Sequence, residues 1–125
     1  MDRLLRYDTH MKKGIVRRLV RPEIGAAAKS IARVFRPDAI ILFGSHAQGL
    51  ARPDSDVDLL IVARTTRPLD LAGRIHESLE ARFPADIVVR TPREVERALR
   101  EEDPFLCEIL RKGCRLYEAR RTRVG

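Results

Sequence analysis

The 125-residue chain has no tryptophan, two tyrosines, four phenylalanines and two cysteines. With so little aromatic volume, its core must be assembled mainly from Leu, Ile, Val and Ala. Cys107 and Cys114 are too few for a disulfide framework or a four-ligand zinc site. They read as small core hydrophobes in a reducing compartment. No apolar run approaches the roughly 18 residues that a membrane-spanning helix needs. The first twenty residues scatter charges among their apolar positions and lack the continuous hydrophobic segment of a secretory signal. A cytoplasmic protein with no membrane attachment is the expectation. Internal repeats and low-complexity tracts are also absent.

What is present is a length suited to one domain and a 44% share of hydrophobic residues, enough for an independent core. The formal charge of +7 is unevenly placed. Residues 1–21 carry seven Lys or Arg against two Asp, and residues 111–125 carry six against one Glu, whereas residues 22–110 are slightly acidic. The basic ends are candidates for contact with nucleic acid or an acidic protein, and solvated tails are the plainer alternative. The composition divides the chain into a basic N-terminal extension over 1–21, a folded domain over 22–118 and a basic tail over 119–125.

Periodicity supplies the elements. Leu4, Leu5, Met11, Ile15, Val16 and Leu19 are compatible with a helix interrupted by Gly14. Ile24, Ala27, Ala28, Ile31, Val34 and Phe35 recur at helical spacing after Pro22, and Pro37 stops that helix. Ala39–Phe43 is a short continuous apolar run, the mark of a strand covered on both faces. Residues 45–50 start a short helix, and residues 51–55 form a turn-rich loop. A second strand covers 57–62, and a helix runs from Pro68 to about Arg82. Asp86 leads into a third strand over 87–89. Thr91, Pro92 and Glu94 form a capping box for a helix reaching Arg100. Asp103-Pro104 opens another helix ended by Gly113, and Cys114–Tyr117 is a final strand. This order predicts an α/β fold, with helices packed on a small sheet.

The chemistry concentrates between residues 42 and 62. Asp56 and Asp58 stand two apart at the start of a strand, so their carboxylates share a face, about 7 Å apart along the chain. Paired carboxylates repel one another unless a cation lies between them, and hard oxygen donors suit Mg²⁺ or Mn²⁺. Asp86, at the head of another strand, could be carried alongside by strand pairing and complete a site for two metal ions. Gly44 permits close backbone approach to a ligand. Ser45 offers a hydroxyl and a backbone N–H at the start of a helix, where anions are favoured. A phosphate cradle beside a metal cluster is what phosphoryl or nucleotidyl transfer requires. Taken singly, each piece is ordinary: a Gly-Ser pair is usually a turn, and an Asp-x-Asp is often a solvated turn.

Together, Gly44-Ser45, ten intervening residues and Asp56-x-Asp58 resemble the signature of the nucleotidyltransferase superfamily that includes DNA polymerase beta. The compact length resembles its minimal nucleotidyltransferase branch. The likeness extends from about Pro22 to Glu118 and implies a small mixed sheet flanked by helices. It implies that Asp56, Asp58 and Asp86 bind two Mg²⁺ ions (Mn²⁺ being an alternative), with Asp86 helping to activate an attacking hydroxyl. Gly44 and Ser45 would hold the triphosphate of an ATP substrate. It further implies an antitoxin that transfers AMP to a tyrosine of a HEPN-domain ribonuclease toxin, in a homo- or hetero-oligomer.

One departure stands out. Many relatives have Arg where this chain has Gln48, and Gln supplies no permanent charge. Arg52 is the nearby substitute. This keeps open a second function, a binding module that neutralises a HEPN toxin by occlusion. A third is transfer to a small molecule such as an aminoglycoside, which normally needs a further domain. His46, in the same loop, reads as an ordinary exposed histidine.

Overall fold

The computed structural model describes residues 21–120. The helix expected within the first twenty residues, and the end of the basic tail, lie outside the described residues. Helix α1 spans Pro22–Phe35, with proline in its first turn, and buries Ile24, Ala27, Ala28 and Ile31. It ends where Arg36 adopts a left-handed conformation (φ 50°) and returns its N–H to the Ala32 carbonyl. The proline that follows cannot extend a helix.

Strand β1 (Ala39–Phe43), helix α2 (Ser45–Gln48), strand β2 (Val57–Val62), helix α3 (Pro68–Leu79) and strand β3 (Ala85–Arg90) follow. Helices α4 (Pro92–Arg100) and α5 (Pro104–Lys112) lead to the last strand, β4 (Cys114–Glu118). The four strands form one mixed sheet in the order β3-β2-β1-β4. Strand β1 is antiparallel to β2 and to β4, and β2 is parallel to β3. This is the α/β arrangement of a small mixed sheet with helices on it.

The continuous apolar runs of β1 and β2 make sense in this order, because both are central strands buried on both faces. Alternate residues feed two cores. Ile40, Leu42, Leu59 and Ile61 pack with Ile24 and Ile31 of α1 and with Ile75 and Leu79 of α3. Ala39, Ile41, Leu60 and Val62 pack with Val95 and Leu99 of α4 and with Leu106, Ile109 and Leu110 of α5. Each such aliphatic side chain contributes about 1.5–3 kcal/mol by leaving water.

The helix ends are set locally. Thr91 Oγ1 accepts from the Glu94 N–H while the Thr91 N–H donates to the Glu94 carboxylate, the capping box expected from the sequence. The Asp103 carboxylate accepts from the Leu106 N–H at 2.9 Å and caps α5. One expectation is corrected. Helix α3 stops at Leu79, short of Arg82, and the chain turns so that the Arg82 and Phe83 N–H groups both reach the Leu79 carbonyl. Pro84 disfavours a helical residue before it, which releases buried Phe83 from the helix. Gly113 ends α5, as expected, and does so in an extended conformation, φ −77° and ψ 168°. Its need for glycine is spatial: a Cβ would lie 2.5 Å from the Ile109 oxygen and 2.8 Å from both the Leu42 oxygen and Ile41 Cγ2.

Candidate active site

Sheet pairing decides where the acidic residues meet. In the parallel pair, Asp58 of β2 stands directly opposite Asp86 of β3. Directly paired residues of a sheet project from the same face, so the two carboxylates emerge side by side. That face also carries Leu60 and Val62 under α4 and α5. The carboxylates lie at its open end, where the strands begin. Asp56 precedes β2 and is exposed, as is Asp86, whereas Asp58 is half-buried. The start of β2 is pinned beside β3 by the Val57 N–H, which donates to the Pro84 carbonyl at 2.9 Å.

Electrostatics mark the same place. Burial, then the neighbouring Asp86 and Asp56 carboxylates, push the Asp58 carboxyl above its usual range, while His46 pulls in the opposite direction. Bringing like charges together on a partly desolvated face is costly unless a cation relieves it. Three carboxylates are hard oxygen donors and fit Mg²⁺ or Mn²⁺ in chemistry. Among the described residues, no three His, Cys, Asp or Glu side chains are already gathered in ligand geometry.

Gly44 closes the other side. It sits between β1 and α2 at φ 78° and ψ −157°, a backbone conformation that side chains resist. A Cβ there would overlap the Asp58 carboxylate. Glycine thus lets the turn lie directly against that acid. Its carbonyl accepts from the Ala47 and Gln48 N–H groups at 3.1 and 3.2 Å, which winds α2. Helix α2 does begin at Ser45, but it is only four residues long. Its macrodipole is correspondingly small, so any hold on phosphate there rests on the local N–H and hydroxyl groups.

His46 departs from its expected exposure. It is 3% exposed, the one buried polar residue among those described. Its Nε2 lies 3.1 Å from the Ser55 carbonyl. A carbonyl can only accept, so the ring donates. Ser55 in turn closes the loop, accepting from the Arg52 N–H through Oγ at 2.8 Å and donating its own N–H to the Arg52 carbonyl at 3.0 Å. Thus the residue after Ser45 is tied to the residue before Asp56. Spacing carried no signal for this contact, because the two residues are nine apart across an irregular loop. Cys114 is buried and its thiol reaches the Ala47 carbonyl at 3.7 Å, anchoring α2 against β4.

Beside Gly44 lies a pocket of about 340 Å³ between the end of β1 and α5. Phe43 and Phe105 meet in it edge to face, with centroids 5.9 Å apart. The sequence reading did not include it. Gln48 lines it.

A turn glycine against one of three acidic groups, all at the head of a mixed sheet, is the arrangement of a nucleotidyl-transfer site. The family model for the nucleotidyltransferase domain matches residues 26–117. The chain belongs to the nucleotidyltransferase domain family. Solved structures share the fold of this nucleotidyltransferase. One, from a toxin-antitoxin with AMP-PNP, is 24% identical over 76% of this chain and 73% of that chain, with a TM-score of 0.50. Another, a Sulfolobus solfataricus protein assigned as a nucleotidyltransferase, is 18% identical over 77% of this chain and 78% of that chain, with a TM-score of 0.52. None of the curated proteins matches the chain.

Proposed function

We propose that this nucleotidyltransferase is a protein adenylyltransferase that transfers AMP from ATP to a tyrosine of a HEPN-domain toxin, acting as its antitoxin in the cytoplasm. The register of Asp58 against Asp86, with Gly44 packed on Asp58, carries the reading. The fold shared with a toxin-antitoxin solved with AMP-PNP supports the choice of adenine nucleotide and of a toxin partner.

Asp56, Asp58 and Asp86 would hold two Mg²⁺ ions. When bound, the ions supply charge neutralisation for the triphosphate and the developing pyrophosphate. Gly44 and Ser45 orient the triphosphate through backbone N–H groups and the Ser45 hydroxyl. Asp86, exposed at the edge of the site, takes the proton from the acceptor hydroxyl. The freed oxygen forms a bond to the α-phosphorus as the bond to the β-phosphate oxygen breaks, and pyrophosphate leaves. His46 holds Asp56 and Ser45 in one frame throughout. Residues 22–118 constitute the catalytic domain in this reading, and the basic segments on either side serve the partner.

The test is to incubate the chain with a HEPN-domain partner protein, ATP and Mg²⁺, and to record the intact mass of both proteins. A gain of one AMP on the partner is expected, and its loss in the Asp56→Asn, Asp58→Asn double variant. Labelling that persists in the double variant defeats the metal assignment. Gln48, where relatives carry Arg, favours a second reading. A stable complex with no mass change would make the chain an occluding module with a relic site.

A further inference from the structure

Resting on the nucleotide reading above, we propose that the pocket between β1 and α5 seats the nucleobase, stacked on Phe105 and read at its edge by Gln48. The pocket is continuous with the acidic site. Phe43 on its wall is the direct register partner of Asp58, so ring and carboxylate emerge side by side. Gly44 belongs to both, lining the pocket while lying against Asp58. A nucleotide whose phosphates lie at Gly44 and Ser45 therefore has a cavity that begins at the same glycine.

The chemistry of the walls suits a base. Phe105 is 47% exposed, one of few large apolar side chains left to solvent among the described residues. Its edge-to-face contact with Phe43 fixes one side of the ring and leaves area for a planar ligand. Pro104 adds apolar surface, and Gln48, Glu108 and Lys112 bring polar groups to the rim. An amide presents a donor and an acceptor together, which matches the N6 and N7 edge of adenine. Volume also discriminates. At about 340 Å³ the pocket falls at the small end of ligand sites, which run from about 300 to 1,000 Å³. That accommodates a base with its ribose and leaves a lone aromatic side chain of an acceptor loosely held. Gln48 thereby has a role that an arginine directed at phosphate would not fill.

Calorimetric titration with ATP and with inorganic tripolyphosphate, both with Mg²⁺, separates base from phosphate. Phe105→Ala should weaken ATP by about five- to 150-fold, as loss of one stacked aromatic does, while tripolyphosphate binds as in the wild type. Phe105→Trp should restore ATP affinity, which loss of folding would not allow. Unchanged ATP affinity in Phe105→Ala would overturn the proposal and leave the pocket to the acceptor, with the transferase reading intact. Equal weakening of ATP and tripolyphosphate would overturn it too, making Phe105 a support of the loop. If the wild-type chain binds neither ligand, the nucleotide reading and the pocket fall together.

Discussion

Gly44 and Asp58 lie so close that a β-carbon on residue 44 would overlap Asp58 Oδ2 and stand 3.2 Å from its carboxyl carbon. The backbone there, at φ 78° and ψ −157°, is also in a region essentially confined to glycine, which costs another residue about 1–3 kcal/mol. In Gly44→Ala the Asp58 side chain can swing away, because its carboxylate end is what is struck. The loss should therefore fall mainly on activity. Transfer should drop about 100-fold, the scale of a 1 Å misplacement, while the backbone strain lowers Tm by about 3–10 °C. Activity and a melting curve on the same sample check this.

Asp58 should be a residue that function retains against stability. Its carboxyl is raised above the usual range by burial and by Asp86 and Asp56. A carboxyl raised on folding favours the fold in its protonated form, and that contribution is lost as pH rises through the folded value. At neutral pH the ionised group works against folding. Asp58→Asn should raise Tm at pH 7 while abolishing transfer, and the gain should close as pH falls into the carboxylate range. Mg²⁺ should raise the Tm of the wild type more than that of the variant. Melting curves across pH, with and without Mg²⁺, decide it; a lower Tm in the variant at pH 7 would contradict the repulsion.

The brace from His46 to Ser55 can be removed without touching a carboxylate. His46→Leu leaves a loop carbonyl without its donor and should cost about 1–3 kcal/mol. It should also reduce transfer by freeing the loop before Asp56. His46→Gln retains an N–H donor and should recover part of both. Denaturant unfolding and turnover of the two variants test this, and equal behaviour of Leu and Gln would argue that only volume matters.

Gly113, which also lines the pocket beside Gly44, tests the packing of α5 on β1 without altering a carboxylate. Two of the three atoms that a Cβ would strike are backbone oxygens, of Ile109 and Leu42, which cannot rotate away. Gly113→Ala should destabilise by about 1–3 kcal/mol, the usual cost of overpacking. The shift in urea midpoint measures it. A neutral result would mean that α5 can slide on β1.

Much was legible from the sequence because it depends on short-range rules. Pro22, Pro92 and Pro104 open helices, Thr91 and Glu94 build a capping box, and the unbroken apolar run Ala39–Phe43 marks β1 as a strand covered on both faces. These are properties of a few neighbouring residues, and the structure retains them. Helix ends such as Leu79 depended on a local competition between the α3 periodicity and Pro84, which spacing alone does not weigh. The acidic residues divide in the same way. Strand alternation suggests that Asp56 and Asp58 share a face, but β2 begins at Val57 and leaves Asp56 just outside the strand. That Asp86 stands opposite Asp58 follows from the parallel register of β2 and β3, whose partners are 28 positions apart and are chosen by packing. The burial of His46, the spatial need for Gly113 and the pocket at Phe105 were decided only by tertiary structure. Each joins segments distant along the chain, and no local pattern encodes which distant atom fills the space beside a residue.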